Sequence, residues 1–160
     1  MTQLPVFTIA DLEAEPRFDV DVFGREDAVD LGLIGVEVIR ELGANLAVRV
    51  VLHGADVFVA KLGTTDSGND PWLGGKAAVA ERFGEPSLLV RRRHESDGTP
   101  FEDRTDVDHD LLRAHGGAIP IFEGGRLVGT ITMSGEPDVA DHAASAETVR
   151  RFLERAADRH

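Results

Sequence analysis

The chain has 160 residues, 42% of them apolar, which suffices for one globular domain with a buried core. It contains no cysteine, excluding disulfides, thiolate catalysis, cysteine-ligated zinc, iron–sulfur clusters and covalent c-type haem, and its net charge of −12 argues against nucleic acid or an anionic membrane as partner. No apolar run approaches the roughly 18 to 20 residues of a membrane span, and Asp11, Glu13 and Glu15 stand where a signal peptide would be basic and then apolar, so a cytoplasmic protein is expected.

Residues 18–22 alternate apolar and acidic side chains, the pattern of a short edge strand. Over residues 26–42, Leu31, Ile34, Val38 and Leu42 recur at helical spacing, and Gly43 is placed to end the helix in a left-handed conformation. Residues 46–52 and 57–62 read as strands of a hairpin around His53-Gly54-Ala55-Asp56. Asn69 or Asp70 can cap the next helix, with Pro71 in its first turn and Trp72, Lys76, Val79, Ala80 and Phe83 along one face. The basic run Arg91-Arg92-Arg93 reads as a solvated helix end or loop offsetting nearby acids, with an anion contact or an inter-subunit salt bridge as the alternative, and residues 95–110, with Gly98, Pro100 and many acids, as a surface excursion.

Two further apolar runs flank a Gly124-Gly125 turn; His115-Gly116-Gly117 opens them and Ser134-Gly135 closes them. Pro137 then begins a last helix whose apolar face is predicted as Val139, Ala143, Ala146, Val149 and Leu153. Short hairpin connections imply antiparallel pairing, and three amphipathic helices must cover the sheet, so the sequence predicts one α+β layered domain spanning residues 1–160.

His115 is the leading candidate for a ligand contact, because the glycines after it permit close backbone approach beside an imidazole. Gly116, Gly117, Ser134, Gly135 and His142 complete the candidate ligand-binding set, with the turn from Ser134-Gly135 into a helix N-terminus as a place for a polar group. The competing reading makes the glycines a tight turn and His115 and His142 capping or interface groups. Trp72, Lys76 and Asp141 are the interface candidates. No metal site is expected: His109 and His115 lack a zinc spacing and H-E-x-x-H is absent. There is no G-x-S-x-G elbow for a nucleophilic serine and no P-loop Lys-Ser/Thr, so the catalytic residues are left unassigned.

These residues together resemble the haem-degrading, HbpS-like domain superfamily, which includes GlcG-like proteins and the C-terminal domain of PduO. The resemblance covers about residues 18–155 and rests on Phe23 with Glu26-Asp27-Ala28, on Trp72 through Lys76 and Arg82-Phe83-Gly84 with Ser87, and on 115–135 with Pro137 and Asp141-His142. It is nearest to the superfamily's His-Gly-Gly branch, which carries no assigned function. Similar sequences often have several basic residues after the Trp, whereas Gly74-Gly75 and a lone Lys76 follow it here.

The resemblance implies a profilin-like three-layer α/β/α sandwich with a central, mainly antiparallel sheet of about five strands, and assembly into a homo-oligomer, a dimer or larger. It also implies haem or another small molecule as ligand, in a pocket near His115-Gly116-Gly117. Two other readings stand beside it: an oligomeric structural module without catalysis, and an enzyme acting on a small organic acid with His115 as general base.

Overall fold

A computed structural model describes residues 3–158. Its elements run α1 (Ile9–Ala14), β1 (Asp19–Val20), α2 (Arg25–Leu42), β2 (Ala47–Leu52), β3 (Ala55–Lys61), α3 (Asp70–Phe83), α4 (Ser87–Ser96), β4 (Ala118–Glu123), β5 (Arg126–Ser134) and α5 (Asp138–Ala157), with short 3-10 turns at Ser67–Asn69 and Phe101–Asp103. One five-stranded sheet has the order β1-β4-β5-β2-β3. All neighbours are antiparallel except β1, which pairs parallel to β4, so the sheet is mixed rather than purely antiparallel. The edge strand expected over 18–22 shrinks to the two residues of β1, because only Asp19 and Val20 find partners, Phe122 and Glu123.

Alternation along the strands sorts the side chains into two layers. Val48, Val50, Leu52, Ile119, Ile121, Ile131 and Met133 point to one face, where α2 and α5 bury Leu31, Val38, Val149 and Phe152 against them. Phe18, Phe23 and Phe152 close one end of this core in mutual edge or tilted ring contacts. Within α2, Gly32 lies so close to the Phe58 ring that a Cβ would overlap it, which sets how near the helix sits to β3. The other face carries smaller and more polar groups, Ala47, Thr130, Thr132 and Ser134, and α3 covers it with Gly75 and Ala77 among its buried residues.

The hairpin between β2 and β3 is tighter than expected. His53 and Gly54 alone form the connection, both with positive φ (51° and 77°), the signature of a type I′ turn that matches strand twist. Gly43 ends α2 at φ 61°, as the sequence predicts.

Three features depart from the sequence reading. First, α1 is a six-residue helix fixed by a capping box in which Thr8 and Asp11 exchange side-chain and backbone hydrogen bonds. Second, the arginine run lies inside α4, and each arginine holds a different element. Arg91 pairs with Asp138 at 2.6 Å, Arg92 donates to the Phe7 carbonyl, and Arg93 binds Glu85 and Glu13. Charge along α4 hides its helical periodicity, and only Leu88, Leu89 and Val90 betray burial. Third, α5 buries a face rotated from the predicted one: Asp141, His142, Ala144, Ser145, Thr148, Val149 and Phe152. Ser145 and Thr148 are tolerated there because their hydroxyls donate to the carbonyls of Gly117 and Ala144.

Candidate functional site

Four segments meet beyond the ends of β5 and α5: the first turns of α3, the residues before β4, the end of β5 and the first turn of α5. Between them lies a cavity of about 290 Å³ lined by Asn69, Trp72, Lys76, His115, Ser134, Gly135, Glu136, Asp138 and Asp141. The fold therefore gathers His115, Ser134 and Gly135 with Trp72, Lys76 and Asp141, although more than sixty positions of sequence separate Lys76 from Asp141.

The floor is an ion pair. Lys76 Nζ lies 2.8 Å from Asp141 Oδ2, with side-chain exposures of 3% and 2%, and also donates to the Met133 carbonyl. Asp141 in turn accepts from the backbone amides of Glu136 and Gly135. Burial pushes the Asp141 carboxyl up to about 6 even though Lys76 pulls it down, and burial likewise lowers the Lys76 ammonium against the pull of Asp141. Within one chain both are buried, and the pair is a staple from α3 to α5 at the cavity floor.

The wall is His115. Its ring is half buried, meets the Trp72 ring edge-on at 5.3 Å between centroids, and makes no hydrogen bond among the described residues. Burial, then the nearby Arg91 charge, lowers its pKa below the ordinary 6.5, so the imidazole is neutral at pH 7. Trp72 carries the Arg113 guanidinium over its ring at 4.3 Å and remains 37% exposed. Asp138 closes the far side. Burial raises its pKa, but the Gly116 amide and Arg91 outweigh that and hold the carboxyl below its usual value.

The two glycines after His115 do not line the cavity; they pack behind it. A Cβ on Gly116 would overlap the Asp138 carbonyl, and one on Gly117, at φ 138°, would overlap the Met133 carbonyl. The Gly117 carbonyl accepts from Met133 N and Ser145 Oγ. His142 also turns away. It is fully buried, its Nε2 lies 2.8 Å from Glu15, and its ring meets Phe7, so it serves the junction of α5 with α1 and not this site. Asp141 and His142 are neighbours in sequence, but consecutive helical residues point about 100° apart. Arg91 shows in the sequence only as part of a basic run and Arg113 in no motif; their places depend on tertiary packing.

The pKa of His115 makes a direct prediction. Because its folded value is depressed, the stability contributed by keeping it neutral is complete above 6.5 and is lost as pH falls through the folded pKa. NMR titration of the ring should give a midpoint below 6.5, and Arg91→Met should raise it.

Residues 23–150 match the sequence profile described as haem degrading protein HbpS-like. The chain belongs to this HbpS-like family. A UPF0303 protein of Streptomyces avermitilis is 41% identical over 150 residues, covering 92% of both chains, and one of Streptomyces coelicolor is 38% identical over 148 residues, covering 91% of this chain and 94% of its own. Among solved structures, the Ybr137w protein superposes with a TM-score of 0.83 at 25% identity, over 93% of this chain and 89% of that one. A PduOC–haem complex superposes with a TM-score of 0.68 at 17% identity, over 82% and 94%. HbpS itself gives 0.65 at 19%, over 82% and 89%. These likenesses carry the HbpS-like fold, and among the described residues no helix is long and apolar enough to cross a membrane.

Proposed function

We propose that this HbpS-like chain is a cytoplasmic small-ligand protein whose ligand sits in the cavity between Trp72 and His115, with haem as the first candidate. The observation that carries the reading is the His115 imidazole: neutral, facing a cavity, and free of any protein hydrogen bond among the described residues. Such a nitrogen is a ready hydrogen-bond acceptor or iron ligand, and with neither Cys nor Tyr in the chain histidine is the strong axial donor at hand. The three carboxylates around it are already engaged, Asp138 by Arg91, Asp141 by Lys76, and Glu136 by the Asn45 amide, which reduces the repulsion an anionic ligand would meet. His115 would hold the iron and Trp72 would lie against the ligand; when bound, the haem supplies a redox-active metal centre. The volume suits a ligand that enters by one edge or a molecule smaller than haem.

Hemin titration tests this reading. The expected result is a saturable Soret shift that weakens at least tenfold in His115→Ala and is unchanged in His142→Ala after correction for stability. Absence of a saturable shift, or equal loss in both variants, overturns the haem reading.

A second reading, a homo-oligomeric HbpS-like assembly, is supported by the outer edge of β3, which has no strand partner among the described residues, and by the exposed apolar side chains of Leu33 and Val59. Native mass spectrometry should show a dimer or larger at micromolar concentration, and a strict monomer would overturn it.

A further inference from the structure

A second, larger cavity of about 580 Å³ lies between α1, the start of α4, β4 and α5. Its lining is mainly apolar, with Leu12, Leu89, Ile119, Phe122, Val149 and Leu153, and the small side chains of Ala143 and Ala146 leave it hollow. The α5 stripe that the sequence marked as core therefore faces this space. The cavity exists because β1 covers only the last two residues of β4. The Phe122 amide reaches Phe18 and the Ala118 amide reaches Ser87, while Pro120, between them on the same edge, has no N–H to satisfy. Helix α1 roofs the space, held by Arg93 on Glu13, Arg92 on the Phe7 carbonyl and His142 on Glu15.

The charges at the rim are paired with one exception. Arg93 binds Glu85 and Glu13, Arg150 binds Glu147 and Glu154, and Glu15 binds His142. Arg17 alone has no carboxylate among the described residues; its guanidinium lies 3.8 Å over the Phe122 ring. Stacking occupies the face of the guanidinium and leaves its in-plane N–H groups free to fork a carboxylate. Four glutamates at the same rim disfavour a head group of higher charge. The volume falls in the range that encloses a drug-sized ligand.

From this arrangement we propose that the cavity binds an aliphatic monocarboxylate, its chain among the apolar residues and its head on Arg17. The site is separate from the His115 cavity and does not depend on that reading. Calorimetry on delipidated protein with dodecanoate tests it. Saturable one-to-one binding is expected, at least tenfold weaker for dodecanol and for dodecanoate on Arg17→Gln, the effect of losing a charge-assisted bond. Shorter acids should bind about fourfold more weakly for each methylene removed. Ala146→Trp, which fills the cavity, should abolish binding; Ala143→Leu serves the same purpose if the tryptophan variant does not fold, as judged by thermal unfolding. His115→Ala should leave the dissociation constant unchanged. The proposal is overturned by no binding, by equal affinity for acid and alcohol, or by loss of binding in His115→Ala. It is equally overturned if dodecanoate fails to bind and Ala146→Trp dissociates an oligomer, which would make this face a contact between copies.

Discussion

Replacing Lys76 by methionine should destabilise the protein by about 3–5 kcal/mol at pH 8, because it leaves Asp141 as a buried charge without its partner. Folded single domains hold only about 5–15 kcal/mol in total, so the loss would be plain in urea or thermal unfolding. The pH dependence identifies the cause. In the intact protein the Asp141 carboxyl is already raised to about 6, well above its unfolded 3.8, so its favourable contribution is complete below the unfolded value and is lost as pH rises through the folded one. Without Lys76 the folded value rises further. The variant should therefore recover much of its deficit at pH 5, where Asp141 takes up a proton, and a deficit equal at pH 5 and pH 8 would point to packing instead. Asp141→Leu is expected to be worse at low pH than Lys76→Met, since it also strands the Glu136 and Gly135 amides.

Gly117→Val should cost about 3–5 kcal/mol, adding a side chain at φ 138° to an overlap with backbone that no rotamer change can relieve. His115→Ala, two residues away, should cost no more than about 1 kcal/mol, the worth of its edge contact with Trp72. Urea melts of the two variants would separate the roles within His-Gly-Gly. The glycines let β4 begin against α5 and the Met133 carbonyl, while the histidine contributes little to the fold and is left to meet something else. Equal destabilisation by both substitutions would make the whole tripeptide structural.

The fold was legible where periodicity and turn chemistry agree. The spacing of Leu31, Ile34, Val38 and Leu42, the stop at Gly43, and the paired apolar runs around Gly124-Gly125 each carry their own local signal. What stayed hidden has a common cause: its determinants are far apart in the chain. Helix α4 buries only three consecutive aliphatic residues and spends its arginines on acids from other elements. The buried face of α5 was misjudged because Ser145 and Thr148 count as polar in a pattern, yet find carbonyl acceptors once folded. Among the residues lining the candidate cavity, His115, Ser134 and Gly135 stand out in the sequence because they flank the paired apolar runs. The Lys76–Asp141 pair was not, since nothing local distinguishes a lysine that will be buried from one that will snorkel to water.

The N-terminal helix illustrates the same separation in time. With six residues, α1 is below the length at which a helix holds itself together in water, so it depends on what it touches. Its neighbourhood is secured by Arg92 and Arg93, 85 and 80 positions from Phe7 and Glu13, and by His142, 127 positions from Glu15. This segment is synthesised before Arg92, Arg93 and His142 and cannot be secured until they too have been made. A segment made before all of these partners is thus among the last to fold, and the large cavity acquires its roof only when everything beneath it is in place.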